Sequence, residues 1–313
     1  MILITGGGGL VGLNLAHALV ECGERVLLLQ RHETETPPFL APYWGSEVQA
    51  VVGEVLDQSF MSDVIKGYSV ESIVHAAATW PGRDTTGASL CDMISINVVA
   101  TLHMLELARR FGLRRMTFIS SSTVYMGIDE RLTCTEEMSL PVGPAHAIPA
   151  TKKACEQICS LYAAQGLSVP SVRVSRVYGP TAHWGRNPME RMVMNTIRGN
   201  VAEIADACED EHISVIHAKD CGTGIALIHL ARNLQHRIYN LSDGNYPTYG
   251  DAARLLKEII PGADIRLGAT NTRTGGHPAV SIERIRSEGW SPEYGDLRVG
   301  LEAYISYVKE GRY

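Results

Sequence analysis

The chain reads as an α/β protein, a doubly wound parallel sheet joined to a smaller C-terminal α/β lobe. Three observations predict this class. Met1 to Thr5 is a short apolar run that ends in consecutive glycines, Gly6 to Gly9. Similar short runs recur at 25–29, 48–52, 72–75 and 116–119. Between them lie stretches with helical spacing, and strands alternating with helices require crossover connections, hence a parallel sheet buried on both faces. At 313 residues, 45% hydrophobic and 20% charged, the chain has material for one large domain or two joined ones.

Each element follows from its residues. Ile2-Leu3-Ile4 is the first strand. Gly6 to Gly9 turns the chain, and Leu13, Leu15, Ala16, Leu19 and Val20 carry a helix that Gly23 closes before the second strand, Arg25 to Leu29. In such a βαβ unit glycine is needed for a tight turn, for close approach of backbone to a pyrophosphate, and for helix–strand packing. Gly6, Gly9 and Gly12 have the spacing for those three tasks. The helix start, at Leu10 and Val11, then offers unpaired N–H groups and a positive dipole end. The unit is therefore predicted to be a Rossmann-type dinucleotide site.

The second strand ends Leu29-Gln30-Arg31-His32, with no acid until Glu33. An acid at that point would bind the ribose hydroxyls of NAD, and an arginine suits the extra phosphate of NADP. Arg31 and His32 thus lean towards NADP, while Gln30 can still accept a ribose hydroxyl as NAD requires. Val48 to Val52 is the third strand and leads through Gly53 to Asp57. Ser72 to His75 is the fourth and runs into Ala76, Ala77 and Ala78, small enough for backbone to lie close to a flat ligand. Asn97 opens a helix that ends at Gly112, and Met116 to Ile119 is the fifth strand. Ser120 to Tyr125 follows at its carboxyl end, where ligands of open parallel sheets bind.

Composition excludes several functions. A net charge of −6, without long runs of one sign, gives no footprint for nucleic acid or an acidic membrane. The seven cysteines have no metal-ligand spacing, so no metal is expected, and Cys155 and Cys159 read as packing thiols. An odd cysteine count with no signal peptide fits a reducing cytoplasm. No apolar run is expected to reach the roughly 20 residues that span a bilayer.

The order of Thr5-Gly-x-x-Gly9-x-x-Gly12, Asp57, His75-Ala-Ala-Ala, Asn97 and Ser120-Ser-x-x-Val-Tyr125 resembles the extended short-chain dehydrogenase/reductase family, in its nucleotide-sugar epimerase/dehydratase branch. Downstream, Arg173-x-x-Arg176-Val-Tyr-Gly-Pro180, Ile216-His-Ala-Lys-Asp220, Ile238-Tyr-Asn-Leu241 and Gly289-Trp-Ser-Pro292 resemble further family segments in the same order.

The resemblance implies a Rossmann-type domain over 1–180 plus about 216–242, and a substrate lobe over 181–215 and 243–313. It implies cofactor contacts at Gly6, Gly9, Leu10, Val11, Gly12, Gln30, Arg31, Asp57, Ala76, Ala77, Asn97 and Lys152. It also implies hydride transfer in which a serine binds the reacting oxygen, a tyrosine moves its proton and a lysine holds the ribose. Ser121, with Ser122 beside it, takes the serine place, and Lys152 takes the lysine place because Glu156 follows as in the family's K-x-x-x-E. Four residues before Lys152 stands Ile148, not tyrosine; counting from Lys153 instead gives Pro149. Isoleucine cannot carry a proton. His146 is then the first candidate relay, with Tyr125, Tyr178 and His183 behind it. Tyr125, Arg176 and Arg273 are expected on the substrate side, although Arg176 stands where the family commonly has asparagine. The implied partners are a small molecule, in particular a nucleotide sugar, and a second copy of the chain packed through the helices near Asn97 and Lys152. Two other readings stay open because of Ile148: an inactive binding or regulatory member, and a non-redox enzyme of the lyase kind.

Overall fold

The computed structural model describes residues 1–79, 89–143, 146–180, 187–269 and 278–311. Seven strands form one parallel sheet: β1 (Ile2–Thr5), β2 (Val26–Gln30), β3 (Val48–Val52), β4 (Ser72–His75), β5 (Arg115–Ser121), β6 (Ser171–Val174) and, much later, β10 (Ile238–Leu241). Their spatial order is β10-β6-β5-β4-β1-β2-β3, so the chain reverses direction across the sheet between β1 and β4. The crevice outside the carboxyl ends of those two strands is where such sheets bind ligands.

The strands are buried because both faces are covered. Ile2, Ile4, Leu28 and Val74 point to one face and pack on α1 (Leu10–Glu21) and α7 (Ala218–Leu230). Leu3, Leu27, Ile73 and Met116 point to the other. That face is covered by α2 (Gln58–Gly67), α4 (Ala100–Arg110) and α5 (Ala147–Ala164). α4 continues from α3 (Leu90–Ile94) through one wide π-helical turn, Ser95–Val99. The whole stretch Leu90–Arg110 is long and apolar enough to cross a membrane by length and composition. This amends the expectation that no segment would reach that length. Met93, Met104 and Leu105 from it are nonetheless buried inside the protein.

A second core gathers α6 (Pro188–Ile197), β8 (Ala202–Cys208), α8 (Tyr249–Ile259), β11 (Ile265–Gly268) and α10 (Leu297–Lys309). β8 pairs with β11, and the short strands β7 (Arg176–Tyr178) and β9 (Val215–His217) pair beside the main sheet. α9 (Glu283–Ser287) follows β11, and around it Ile282, Ile285 and Trp290 pack into the first core, although they fall in the C-terminal stretch assigned to the lobe.

Candidate active site

The loop from β1 to α1 is shaped by what its glycines exclude. Gly6 has φ +70°, and a Cβ there would lie 2.9 Å from the backbone nitrogen of Ala77. A Cβ on Gly12 would lie 2.6 Å from the Gly6 carbonyl oxygen, and one on Gly7 would lie 2.7 Å from Leu28 Cβ. Gly9 is different. Only the Gly6 carbonyl, at 3.2 Å, stands near its missing Cβ, and its φ of −86° suits any residue. Gly9 also caps α1 without a side chain, and the first turn of that helix holds no acid. The N–H groups of Leu10, Val11 and Gly12, in the first turn of α1, therefore have no intrahelical acceptor.

Flanking groups continue this edge. Thr5 Oγ1 pairs with His75 Nδ1 at 2.7 Å and accepts the N–H of Ala77 at 3.2 Å, which ties β1 to the Ala76-Ala77 segment. Burial, with the nearby Lys152 charge, pushes the His75 pKa down to about 3, so the ring is neutral. Gln30 is buried beside the glycine loop; its Oε1 accepts from Thr34 Oγ1, while its Nε2 has no partner among the described residues. An orphaned amide N–H here can donate to a ribose hydroxyl oxygen. Arg31 and His32 are exposed beyond it. The glycine loop and Gln30 thus fit an extended pyrophosphate and its neutral ribose.

The serines sit where β5 ends. Ser121 Oγ accepts from Thr123 N at 3.2 Å and from Thr123 Oγ1 at 3.0 Å, which leaves its own proton without an acceptor among the described residues. Ser120 turns inward and donates to Glu156 Oε1 at 2.5 Å, while Ser122 is buried. Lys152 is buried under the same strand, donates to the Ile119 carbonyl at 2.6 Å and lies over the Phe118 ring. Burial pushes its pKa down. Lys153 instead bonds the Pro141 carbonyl in an outer loop. Of the two lysine registers, only Lys152 belongs to the sheet's edge.

Ile148, in the first turn of α5, is half-buried, and His146 is the cap of that helix. Its Nδ1 accepts the Ile148 N–H at 3.3 Å, so a proton taken up there would remove the cap.

Two expected contacts, Tyr125 and Asn97, are committed to the protein itself. Tyr125 is fully buried, and its hydroxyl donates to Asn240 Oδ1 and accepts from Arg173 Nη1, so it offers nothing to a substrate. Burial pushes its pKa up to about 12. The Asn97 amide is committed to Thr79 N and O at 2.8 and 2.9 Å; it anchors the segment after β4 and leaves a ligand to be met by that segment. Asp57 caps α2 through the Phe60 N–H. Arg176 is half-buried on β7 with its guanidinium over the Tyr249 ring. Arg273 and His183 lie outside the described residues.

What the motifs did not reveal is the ion pair beneath them. Arg173 grips Glu156 with two bonds, at 2.9 and 2.7 Å, with both side chains buried. The only signal was the pair of motifs that carry them, 17 residues apart in sequence. Among the described residues no group of three acids, cysteines or histidines forms a metal site.

A glycine cradle at the reversal point of a parallel sheet, with a serine and a buried lysine one strand away, defines a dinucleotide-dependent Rossmann-type enzyme. Residues 2–242 match the model of the NAD dependent epimerase/dehydratase family, and the chain belongs to that family. It is 28% identical to a UDP-glucose 4-epimerase of Corynebacterium glutamicum, over 96% of this chain and 93% of that protein. It is 27% identical to sterol demethylase protein B of Methylococcus capsulatus, over 82% of this chain and 74% of that one. The fold matches dTDP-glucose 4,6-dehydratase of Bacillus anthracis in complex with NAD, with a TM-score of 0.84 and 21% identity over 99% of this chain and 96% of that one. It also matches UDP-glucuronic acid 4-epimerase of Bacillus cereus in complex with UDP-glucuronic acid and NAD, with a TM-score of 0.82 and 20% identity over 99% of both chains. The lean towards NADP finds no support in these relatives.

Proposed function

We propose that this protein binds NAD and acts on a nucleotide sugar, or a related oxygenated small molecule, by reversible hydride transfer. The observation that carries this reading is the Gly6–Gly12 cradle, in which packing at under 3.0 Å accounts for Gly6, Gly7 and Gly12, while Gly9 has only one carbonyl oxygen, at 3.2 Å, near its missing Cβ. When bound, the nicotinamide supplies a hydride acceptor and donor. Gly9, Leu10, Val11 and Gly12 would hold the pyrophosphate and Gln30 a ribose oxygen through its amide N–H, and NAD is the cofactor in the complexes of the structural relatives. Lys152, with one of its three protons used by Ile119, retains donors for the second ribose. Ser121 holds a substrate oxygen through its uncommitted proton. At 148 the chain has no group that can move that proton. His146 is the titratable side chain placed nearest in sequence, at the mouth of α5.

The test is incubation of the NAD-loaded protein with UDP-glucose, UDP-glucuronic acid and dTDP-glucose, following nicotinamide absorbance and the sugar by NMR. Sugar conversion in which deuterium from the reacting carbon passes to the nicotinamide or returns to the sugar without washing out into solvent supports hydride transfer. Turnover in which the cofactor never changes redox state would sink it. A second reading, a non-redox or inactive member, draws on Ile148 and on the commitment of Tyr125 to the interior.

The family relationship also leads us to a homodimer formed through α4 and α5, supported by the exposed Val99, Leu102 and Leu161. A cytoplasmic location accords with seven free thiols.

A further inference from the structure

The amino-terminal edge of the sheet, opposite the glycine cradle, carries a cleft of about 310 Å³ between the starts of β5, β6 and β10 and the end of α7. Arg115, Arg232, Arg237, His236 and Ser168 line it, and no carboxylate does among the described residues. In a chain of net charge −6 such a concave, acid-free, arginine-rich surface is not the average of the molecule.

The buried Arg115 forms one wall. Its Nη1 takes the carbonyls of Ile228, His229 and Ala231, and its Nε donates to Ser168 Oγ at 2.9 Å. This matters because the carboxyl end of a helix repels anions. At α7 that end is already capped by Arg115, whose Nη2 makes no further bond among the described residues. Arg232 and Arg237 are exposed at the rim, and neither side chain has a hydrogen bond or ion pair among the described residues. Arg115 and Ser121 are the two ends of the seven-residue β5, so the cleft lies about 20 Å from the catalytic edge.

We propose that this cleft binds a phosphate-bearing small molecule at a site separate from cofactor and substrate. Guanidinium forks match phosphate oxygens two at a time, and two uncommitted arginines beside a third give the charge density that a phosphate or diphosphate requires. The concave shape and volume suit a small ligand rather than a polyanionic chain.

The probe is inorganic pyrophosphate, with orthophosphate alongside, titrated by calorimetry into protein saturated with NAD so that the glycine loop is filled. The wild type is expected to show a salt-sensitive binding step that weakens at least tenfold in Arg232→Gln/Arg237→Gln. Arg232→Lys/Arg237→Lys should restore part of it, and NAD affinity and melting temperature should stay unchanged in both. Isotherms that are the same in wild type and the glutamine variant would overturn the proposal, as would a wild type that binds neither probe.

Discussion

Gly9 and Gly12 stand three residues apart in one motif, yet a side chain at each would meet different things. At Gly12 it would strike the backbone of Gly6 and Gly7 at 2.6–2.8 Å; at Gly9 it would press only on the Gly6 carbonyl oxygen, at 3.2 Å, and otherwise enter open space. Gly12→Val is therefore expected to destabilise the protein by about 3 kcal/mol, the upper end of ordinary overpacking, because the obstruction is backbone and cannot move aside. Gly9→Val should cost less, about 1 kcal/mol for the poorer helix cap, and lose dinucleotide binding. Ile148 poses the other question at this scale. If only the proton carrier is missing, Ile148→Tyr should create or raise carbonyl–alcohol interconversion on a simple family substrate, read as NADH consumption. No change, with cofactor bound and the fold intact, would show that more than a tyrosine separates this pocket from hydride chemistry.

Between elements, the catalytic edge is held by polar contacts that the sequence hides. Glu156 on α5 joins Ser120 on β5 to Arg173 on β6, and Arg173 passes on to Tyr125 and Asn240. Breaking a buried pair on one side strands the other charge, so Glu156→Gln should cost about 3–5 kcal/mol in denaturant unfolding. The strands themselves were legible, since a parallel sheet buried on both faces needs continuous apolar runs, and β1 to β5 lie where those runs are. The glycine loop was legible as a tight βα turn because Gly6, Gly7 and Gly12 stand where the backbone and Leu28 leave no room for a side chain. Tyr125 and Asn97 misled for one reason. Their positions followed from local motifs, but their partners come from β10 and from the segment after β4, and nothing in the local pattern announces such distant hydrogen bonds. The wide turn at Ser95–Val99 was equally hidden, because its apolar spacing continues that of the flanking helix.

At the scale of the molecule, the junction after β10 carries a pH-dependent cost. Asp243 is buried, one of its oxygens has no partner, and burial with the neighbouring Asp220 pushes its pKa up to about 7. An acid whose folded pKa exceeds its unfolded value favours the folded state below the unfolded value, near 4, and that contribution is lost as pH rises through about 7. Asp243→Asn removes the titration. The variant's stability relative to wild type should therefore rise between pH 4 and 7 and level off above, by on the order of 4 kcal/mol, in denaturant melts across that range. If the exposed apolar face of α4 and α5 is a dimer contact, Leu161→Glu should convert a sedimenting dimer to a monomer without unfolding it; a monomeric wild type would contradict the dimer.

All of this presumes a dinucleotide in the glycine cradle, and titration of purified protein with NADH by fluorescence, beside Gly9→Val, examines that claim most directly. Saturable binding that weakens at least a hundredfold in Gly9→Val, with both proteins folded at the temperature of the titration, is the predicted result. No binding by the wild type, or the same affinity in both proteins, would contradict it.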